Sequence, residues 1–238
     1  MRACDRDLEA GAAGGRMNAV SRASCIEELV TRLGVENVLT DNAEMAKYQT
    51  AARYDDGKAA FVVRPRDVDS ISAAVAICRR HGVTLIPQGA NTGLVGAAVP
   101  GPAGADGVLS LDRLAREITL DLPNRSVRVS AGVLLSDLNT ELEKHGLACP
   151  IDLGADPSIG GMVATNTGGA RFIRYGDLRH SVLGLKVVLA DEAGTVVDLA
   201  GGLRKNNVGL DLKQLFIGTG GAYGIITHVD LDIQKLPR

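Results

Sequence analysis

FVVRPRDVDSISAAVAICRRHGVTLIPQGANTGLVG, residues 61–96, is the stretch from which the fold is read. Phe61-Val62-Val63 is a short β run closed by Arg64-Pro65, because proline has no N–H with which to continue a ladder. Val68, Ile71, Val75 and Cys78 then recur at helical spacing until Gly82 supplies a C-terminal stop. Val83 to Ile86 reads as a buried strand. Strand, helix and strand in succession predict a parallel βαβ unit with a right-handed crossover. The loop from Gly89 to Gly96 leaves the end of its second strand. Glycine has no Cβ, permits φ > 0, and lets successive N–H groups converge on an anion such as a phosphate. Gly89 and Gly93 are therefore expected to reject any side chain, through Cβ clash and loss of positive φ.

On the N-terminal side, Ser24 to Leu33 and Asp41 to Tyr48 read as helices, followed by a polar connection over Ala52 to Lys58. On the C-terminal side, Gly107 to Leu111 is another apolar run. Glu117 to Asp121 and Val127 to Ser130 alternate around Leu122-Pro123-Asn124-Arg125 as a hairpin does. Leu134, Leu138 and Leu142, stopped by Gly146, indicate a helix covering a sheet face. Val182 to Ala190 and Thr195 to Leu199 form a second hairpin, Asp211 to Phe216 a short helix, and Ile225 to Ile233 a closing strand. Parallel and antiparallel strands with helices on their faces predict an α+β or mixed α/β domain, in one body or two lobes.

Three glycine-punctuated segments, Pro87 to Gly96, Asp152 to Gly169 and Gly218 to Gly224, adjoin these apolar runs. The first matches neither a Walker A loop nor G-x-G-x-x-G. It reads as an amide-rich turn in which Asn91 and Thr92 can add side-chain hydrogen bonds to phosphate, or as a flexible loop without a ligand. In the second, Ser158 before Gly160-Gly161 suits a helix start tucked under an anion; close helix-on-sheet packing explains the same glycines equally well. Taken alone, the third is more readily a tight turn than a site. His81 and His145 precede glycines at helix ends, where the helix dipole accounts for them. No metal-ligand spacing links them to His180 or His228, so no metal is expected. Asp152, Arg174 and Lys186 read as surface or salt-bridge residues, and no Ser/His/Asp or Cys/His nucleophile stands out.

With 238 residues, 45% of them hydrophobic, the chain can bury a substantial core. A net charge of −2, with acids and bases interspersed, carries no nucleic-acid footprint, and 3% aromatic content with no tryptophan leaves no stacking platform. Cys4, Cys25, Cys78 and Cys149 are widely spaced, which points to a reducing, cytoplasmic location rather than a disulfide framework. Residues 1–20 lack an apolar h-region and read as a disordered tail, with Met17 as an alternative start. No run approaches the ~18 apolar residues of a membrane span.

PQGANTGLVG (87–96), CPIDLGADPSIGGMVATNTGGARFIRYG (149–176), VLGLKVVLADEAGTVVDL (182–199) and LRKNNVGLDLKQLFIGTGGAYGIIT (203–227) occur in register. Together they resemble the PCMH-type FAD-binding domain of FAD-linked D-2-hydroxyacid dehydrogenases, within the vanillyl-alcohol oxidase superfamily. The resemblance implies an α+β, two-lobed domain with mixed parallel and antiparallel sheets flanked by helices. Its lobes would span about 46–112 and 113–238 within a domain of 21–238. It places the pyrophosphate at Gln88, Gly89, Ala90, Asn91, Thr92 and Gly93, with Gly96 turning the chain away. Pro150, Asp152, Ile159, Gly160, Gly161, Ala164, Thr165 and Asn166 would lie along the ribityl chain and isoalloxazine, and Gly224, Ile225 and Ile226 near the adenine. Asn91 stands where covalently flavinylated relatives have histidine, so the FAD should be non-covalent.

Gly220 replaces the family's glutamate, beside Ala222 and Tyr223. A substrate or cap domain, carrying the proton acceptor and the carboxylate-binding arginines, would begin where this chain stops. The expectation is thus the FAD-binding domain of a flavin oxidoreductase acting on a D-2-hydroxy acid, truncated and poorly active alone, with the catalytic residues unassigned. Two alternatives stay open: a non-catalytic FAD-binding subunit that docks a separate substrate-domain protein, and a plain nucleotide-binding module using the first loop alone.

Overall fold

The computed structural model describes residues 19–53, 56–199 and 201–235. Cys4, Met17 and all of the expected tail except Ala19 and Val20 lie outside the described residues, as do Leu236 to Arg238.

The described residues open with α1 (Ala19–Leu33), a two-residue strand β1 (Val38–Leu39) and α2 (Asn42–Gln49). Asp41 caps α2 by accepting from the N–H groups of Ala43 and Glu44, the usual work of an N-cap carboxylate. β2 (Phe61–Val63), α3 (Val68–Arg80) and β3 (Leu85–Gln88) follow, then β4 (Gly107–Ser110). Asp67 caps α3 through the Ser70 N–H, and α3 buries Ile71, Ala74, Val75, Ile77 and Cys78, the expected helical stripe. Gly82 at φ +67 ends it, and the Val83 N–H returns to the Cys78 carbonyl at 2.8 Å.

These strands form a four-stranded sheet in the order β1-β2-β4-β3. β2 and β3 are parallel, but each pairs with β4, which sits between them. The expected βαβ unit is therefore split by a later strand. Gly107 shows how β4 fits there: a Cβ at that position would lie 2.5 Å from the Phe61 ring and 3.1 Å from Leu85. β3 also begins two residues later than the apolar pattern suggests, which brings Pro87 and Gln88 into the ladder.

The second sheet contains β5 (Ile118–Asp121), β6 (Ser126–Ser130), β8 (Val182–Leu189), β9 (Val196–Asp198) and β10 (Gly224–Asp232), in the order β5-β6-β10-β8-β9. Both hairpins form as read, β5–β6 turning through Arg125 at φ +50 and β8–β9 through Gly194 at φ +62. β10 is not an edge. It lies at the centre, antiparallel to both β6 and β8, consistent with its run of buried residues, since a central strand covered on both faces loses polar alternation. Between the hairpins run α4 (Leu135–Glu143), β7 (Leu147–Ala148), α5 (Ile159–Thr165), α6 (Phe172–Tyr175) and α7 (Leu178–Ser181); β7 pairs with β11 (Gln234–Lys235). The short helix expected at 211–216 is a single 3-10 turn over Leu212–Leu215.

One apolar core runs through both sheets, from Cys25 and Leu29 of α1 through Phe61, Leu109 and Val129 to Leu185 and Leu231. Cys25, Cys78 and Cys149 are buried free thiols within it. α3 also reaches the second sheet directly, where the Ser72 hydroxyl donates to the Gly194 carbonyl at 2.6 Å.

Candidate functional site

The three glycine segments meet at the end of β3. A Cβ on Gly89 would lie 2.0 Å from Ser158 Oγ and 3.1 Å from Ser158 Cβ, so the first loop passes directly over the start of α5. The third segment lies against the same helix: the Gly218 N–H donates to the Val163 carbonyl at 3.0 Å and the Gly220 N–H to the Ala164 carbonyl at 2.8 Å. It also touches the first segment, because a Cβ on Gly221 would lie 2.5 Å from Pro87 Cγ. Near the other end of the second segment, the Ala170 N–H donates to the Asp152 carbonyl at 2.9 Å.

The start of α5 differs from its sequence reading. Ser158 is the N-cap, and its hydroxyl accepts from the Gly161 N–H at 3.3 Å. The Ile159 N–H donates to the Val133 carbonyl and the Gly160 N–H to the Ala131 carbonyl. These first donors are already bonded within the protein, and α5 is only seven residues long, so the helix terminus is not the anion receptor. Gly160 serves close packing instead, since its Cβ would lie 2.5 Å from Ala131 Cβ.

The loop amides are different. The N–H groups of Ala90, Asn91, Thr92 and Gly93 donate to no acceptor among the described residues, and no heavy atom lies within 4 Å of where a Gly93 Cβ would project. A short cradle with open donors and room beside the backbone fits a diphosphate. Left-handed backbone occurs at Asn91 (φ 54) and Gly96 (φ 71), not at Gly89 or Gly93. Gly89 is required for space, and Gly93 leaves space open.

Two side chains expected beside the cofactor bond to the protein. Asn91 Nδ2 donates to the Thr50 carbonyl at 2.8 Å, so the side-chain bond to phosphate expected of Asn91 gives way to a tether. Buried Gln88 donates through Nε2 to the carbonyls of Tyr48 (2.9 Å) and Ala98 (2.7 Å). Both fix the loop against the end of α2. That end is braced in turn: the Tyr48 hydroxyl donates to Asp112 at 2.9 Å, and Arg64 grips the same carboxylate at 2.8 Å. Burial and the adjacent carboxylate push the Tyr48 hydroxyl up to about 12, so it remains a donor across the physiological range.

Of the other expected residues, Pro150, Ile159 and Gly160 are buried, and exposed Asp152 pairs with Arg171 at 3.3 Å. Thr165 returns its hydroxyl to the Gly161 carbonyl at 3.0 Å. Asn166 ends α5 in the left-handed conformation, φ 51, its amide donating to Asp177 at 2.8 Å. Gly224, Ile225 and Ile226 open β10 and are buried. It is the preceding turn, Gly218 to Gly221, that meets the other two segments. Gly218, Gly220 and Gly221 are not among the residues expected to touch the cofactor, and Gly220 stands out in the sequence only for its missing glutamate, although three glycines in four positions are the signal of a chain approached closely by its neighbours. Away from the cleft, His81 pairs with Glu28 at 2.8 Å, and half-buried His228 with Glu117 at 3.2 Å.

A family model described as "FAD binding domain" matches residues 59–200. The chain belongs to the FAD-binding domain family. This FAD-binding domain is 42% identical over 200 residues to a probable D-2-hydroxyglutarate dehydrogenase, mitochondrial, of Oryza sativa subsp. indica, covering 83% of this chain and 35% of that protein. It is 41% identical over 184 residues to a D-2-hydroxyglutarate dehydrogenase, mitochondrial, of Danio rerio, covering 76% and 34%. The chain thus spans about a third of the length of the curated relatives it matches. Among solved structures, an alkyldihydroxyacetonephosphate synthase superposes with a TM-score of 0.79 at 18% identity, over 91% of this chain and 41% of that one. That likeness establishes the fold, a PCMH-type FAD-binding domain built on one mixed four-stranded sheet and one wholly antiparallel five-stranded sheet.

The names of both dehydrogenases include "mitochondrial", which overturns the expectation of a cytoplasmic location. The cysteine argument separates oxidising from reducing compartments and cannot distinguish one reducing compartment from another.

Proposed function

We propose that this FAD-binding domain serves a flavin-dependent oxidoreductase acting on a D-2-hydroxy acid. The observation that carries the reading is the meeting of three glycine segments around loop amides that have no acceptor in the protein; the dehydrogenase relatives supply the substrate class. FAD, when bound, supplies the hydride chemistry. This chain's residues bind and orient it. Gly89, Ala90, Thr92 and Gly93 offer backbone to the diphosphate, Gln88 and Asn91 hold that loop in place, and Gly96 turns it away. Pro150, Asp152, Ile159, Gly160, Gly161, Ala164, Thr165 and Asn166 back the ribityl and ring portions, and Gly224 to Ile226 the adenine end. The cofactor would lie extended between lobes of 46–112 and 113–238, without a covalent bond, since Asn91 offers no nucleophile. Removal of the hydroxyl proton and recognition of the carboxylate are assigned to no residue of this chain.

A second reading, a non-catalytic FAD-binding subunit that docks a separate substrate-domain protein, is favoured by one feature. Leu203, Val208, Leu210, Leu212 and Leu215 are all exposed, Val208 and Leu210 by 87% and 86%, a concentration of apolar surface suited to contact with further polypeptide. Loading the chain with FAD and mixing it anaerobically with D-2-hydroxyglutarate, its L enantiomer and D-lactate separates the readings. Slow, D-selective bleaching of the visible flavin band supports the oxidoreductase, and stable binding without bleaching favours the docking subunit. Failure to take up FAD refutes both.

A further inference from the structure

Arg179, on α7, belongs to none of the sequence segments expected to touch the cofactor. Its guanidinium nevertheless reaches the chain just before the third glycine turn: Nη1 donates to the backbone and side-chain oxygens of Gln214, and Nη2 to the Ile217 carbonyl at 2.7 Å. Its own N–H donates to Asn166 Oδ1 at 3.0 Å. One residue thus ties the left-handed end of α5 to residues 214–217. The turn is packed between these two side chains, because a Cβ on Gly218 would lie 3.3 Å from Asn166 Cβ and 3.4 Å from Arg179 Nη2.

Besides Arg179, the segment is held by the Gly218 and Gly220 N–H bonds to α5 and by the burial of Phe216 and Ile217; of these, Arg179 alone bonds residues 214–217 through a side chain from α7. Leu212 and Leu215 of the 3-10 turn are exposed, and burial begins only at Phe216 and Ile217. A planar guanidinium suits the role, since its rigid fork spans several carbonyls where a lysine would reach one. All its acceptors are neutral, and no carboxylate pairs with it among the described residues, so its positive charge is not cancelled beside the turn.

We propose that Arg179 is the positioning residue of the third glycine turn, holding Gly218 to Gly221 against Pro87 and α5 so that their backbone can line the cofactor cleft. The strut rests on geometry alone; its consequence for the cofactor rests on the FAD reading.

Two variants and two readouts test this. R179M keeps the stem and removes every donor, while R179K keeps the charge and loses the fork. Amide hydrogen exchange is followed over 214–221 in the chain without added flavin, where the Gly218 and Gly220 N–H groups report directly. In R179M exchange there should quicken by about tenfold or more, the factor that corresponds to one charge-assisted hydrogen bond, with β6, β8 and α3 unchanged. FAD titration should show a dissociation constant raised by a similar factor and an altered visible circular dichroism of the bound flavin. R179K should recover part of the affinity and little of the protection. Wild-type exchange over 214–221 in R179M overturns the proposal, and so does rapid exchange with unchanged FAD affinity and spectrum. A wild-type chain that takes up no FAD refutes the cofactor reading instead, and exchange alone then decides whether Arg179 is the strut.

Discussion

Gly89→Ala is the sharpest single perturbation of the cleft. The new Cβ would stand 2.0 Å from Ser158 Oγ, far inside van der Waals contact. Ser158 is 2% exposed, so its hydroxyl cannot swing into solvent, and the same oxygen caps α5. Forcing a methyl into a packed site costs about 1–3 kcal/mol, and loss of an N-cap bond about 1 kcal/mol more. The sum, roughly 2–4 kcal/mol, lowers the melting temperature of a domain this size by roughly 5–15 °C. The second site makes the reasoning specific. Ser158→Gly removes both atoms that the methyl would strike, and a glycine N-cap costs only a few tenths of a kcal/mol. Thermal unfolding of wild type, G89A, S158G and G89A/S158G forms a double-mutant cycle, which should show a coupling energy of about 2 kcal/mol as the double variant recovers most of the loss. A double variant as unstable as the sum of the single ones would show that the two residues are not in contact.

Gly160→Ala should destabilise by about 1–3 kcal/mol through its clash with Ala131, with recovery in G160A/A131G seen in the same melts. A Cβ at Gly93 meets nothing beyond its chain neighbours within 4 Å and the position is not left-handed, so Gly93→Ala should leave the apo melting temperature almost unchanged while FAD titration shows weakened binding; equal affinity would remove the loop from the site. Burial opposes ionisation of Asp112, but hydrogen bonds from Arg64 and Tyr48 outweigh it and hold the carboxyl below its ordinary 3.8. A depressed carboxylate stabilises the fold above the unfolded-state value and loses that contribution as pH falls through the folded one. The gap in melting temperature between wild type and D112N should therefore be full near neutrality and close below about pH 4. His81→Ala breaks a surface pair with Glu28 far from the glycine segments, so FAD titration should match wild type.

The sequence showed most where a local rule acts alone. The stripe of α3, its stop at Gly82 and both hairpins follow from periodicity and turn chemistry, and each stands within a residue or two of its reading. It misled where distant segments decide. Nothing in residues 61–96 reveals that β4 enters between β2 and β3, because that insertion is enforced by Gly107 fitting under Phe61, a contact across 46 positions of chain. β10 sat at the end of the pattern and in the middle of the sheet for the same reason. At the site, the glycines announced close approach without saying to what: Gly89 and Gly160 are tight against protein, and Gly93 faces open space. The amides of Gln88 and Asn91 looked like ligand groups because their carbonyl partners at Tyr48, Ala98 and Thr50 are fixed only by the fold.

Amide hydrogen exchange of the purified chain with and without FAD asks most directly whether the glycine segments form one receptor for an extended dinucleotide. FAD should slow exchange together over residues 89–93, 165–169 and 218–221. Protection confined to a single segment, or none despite saturating FAD, would contradict the account.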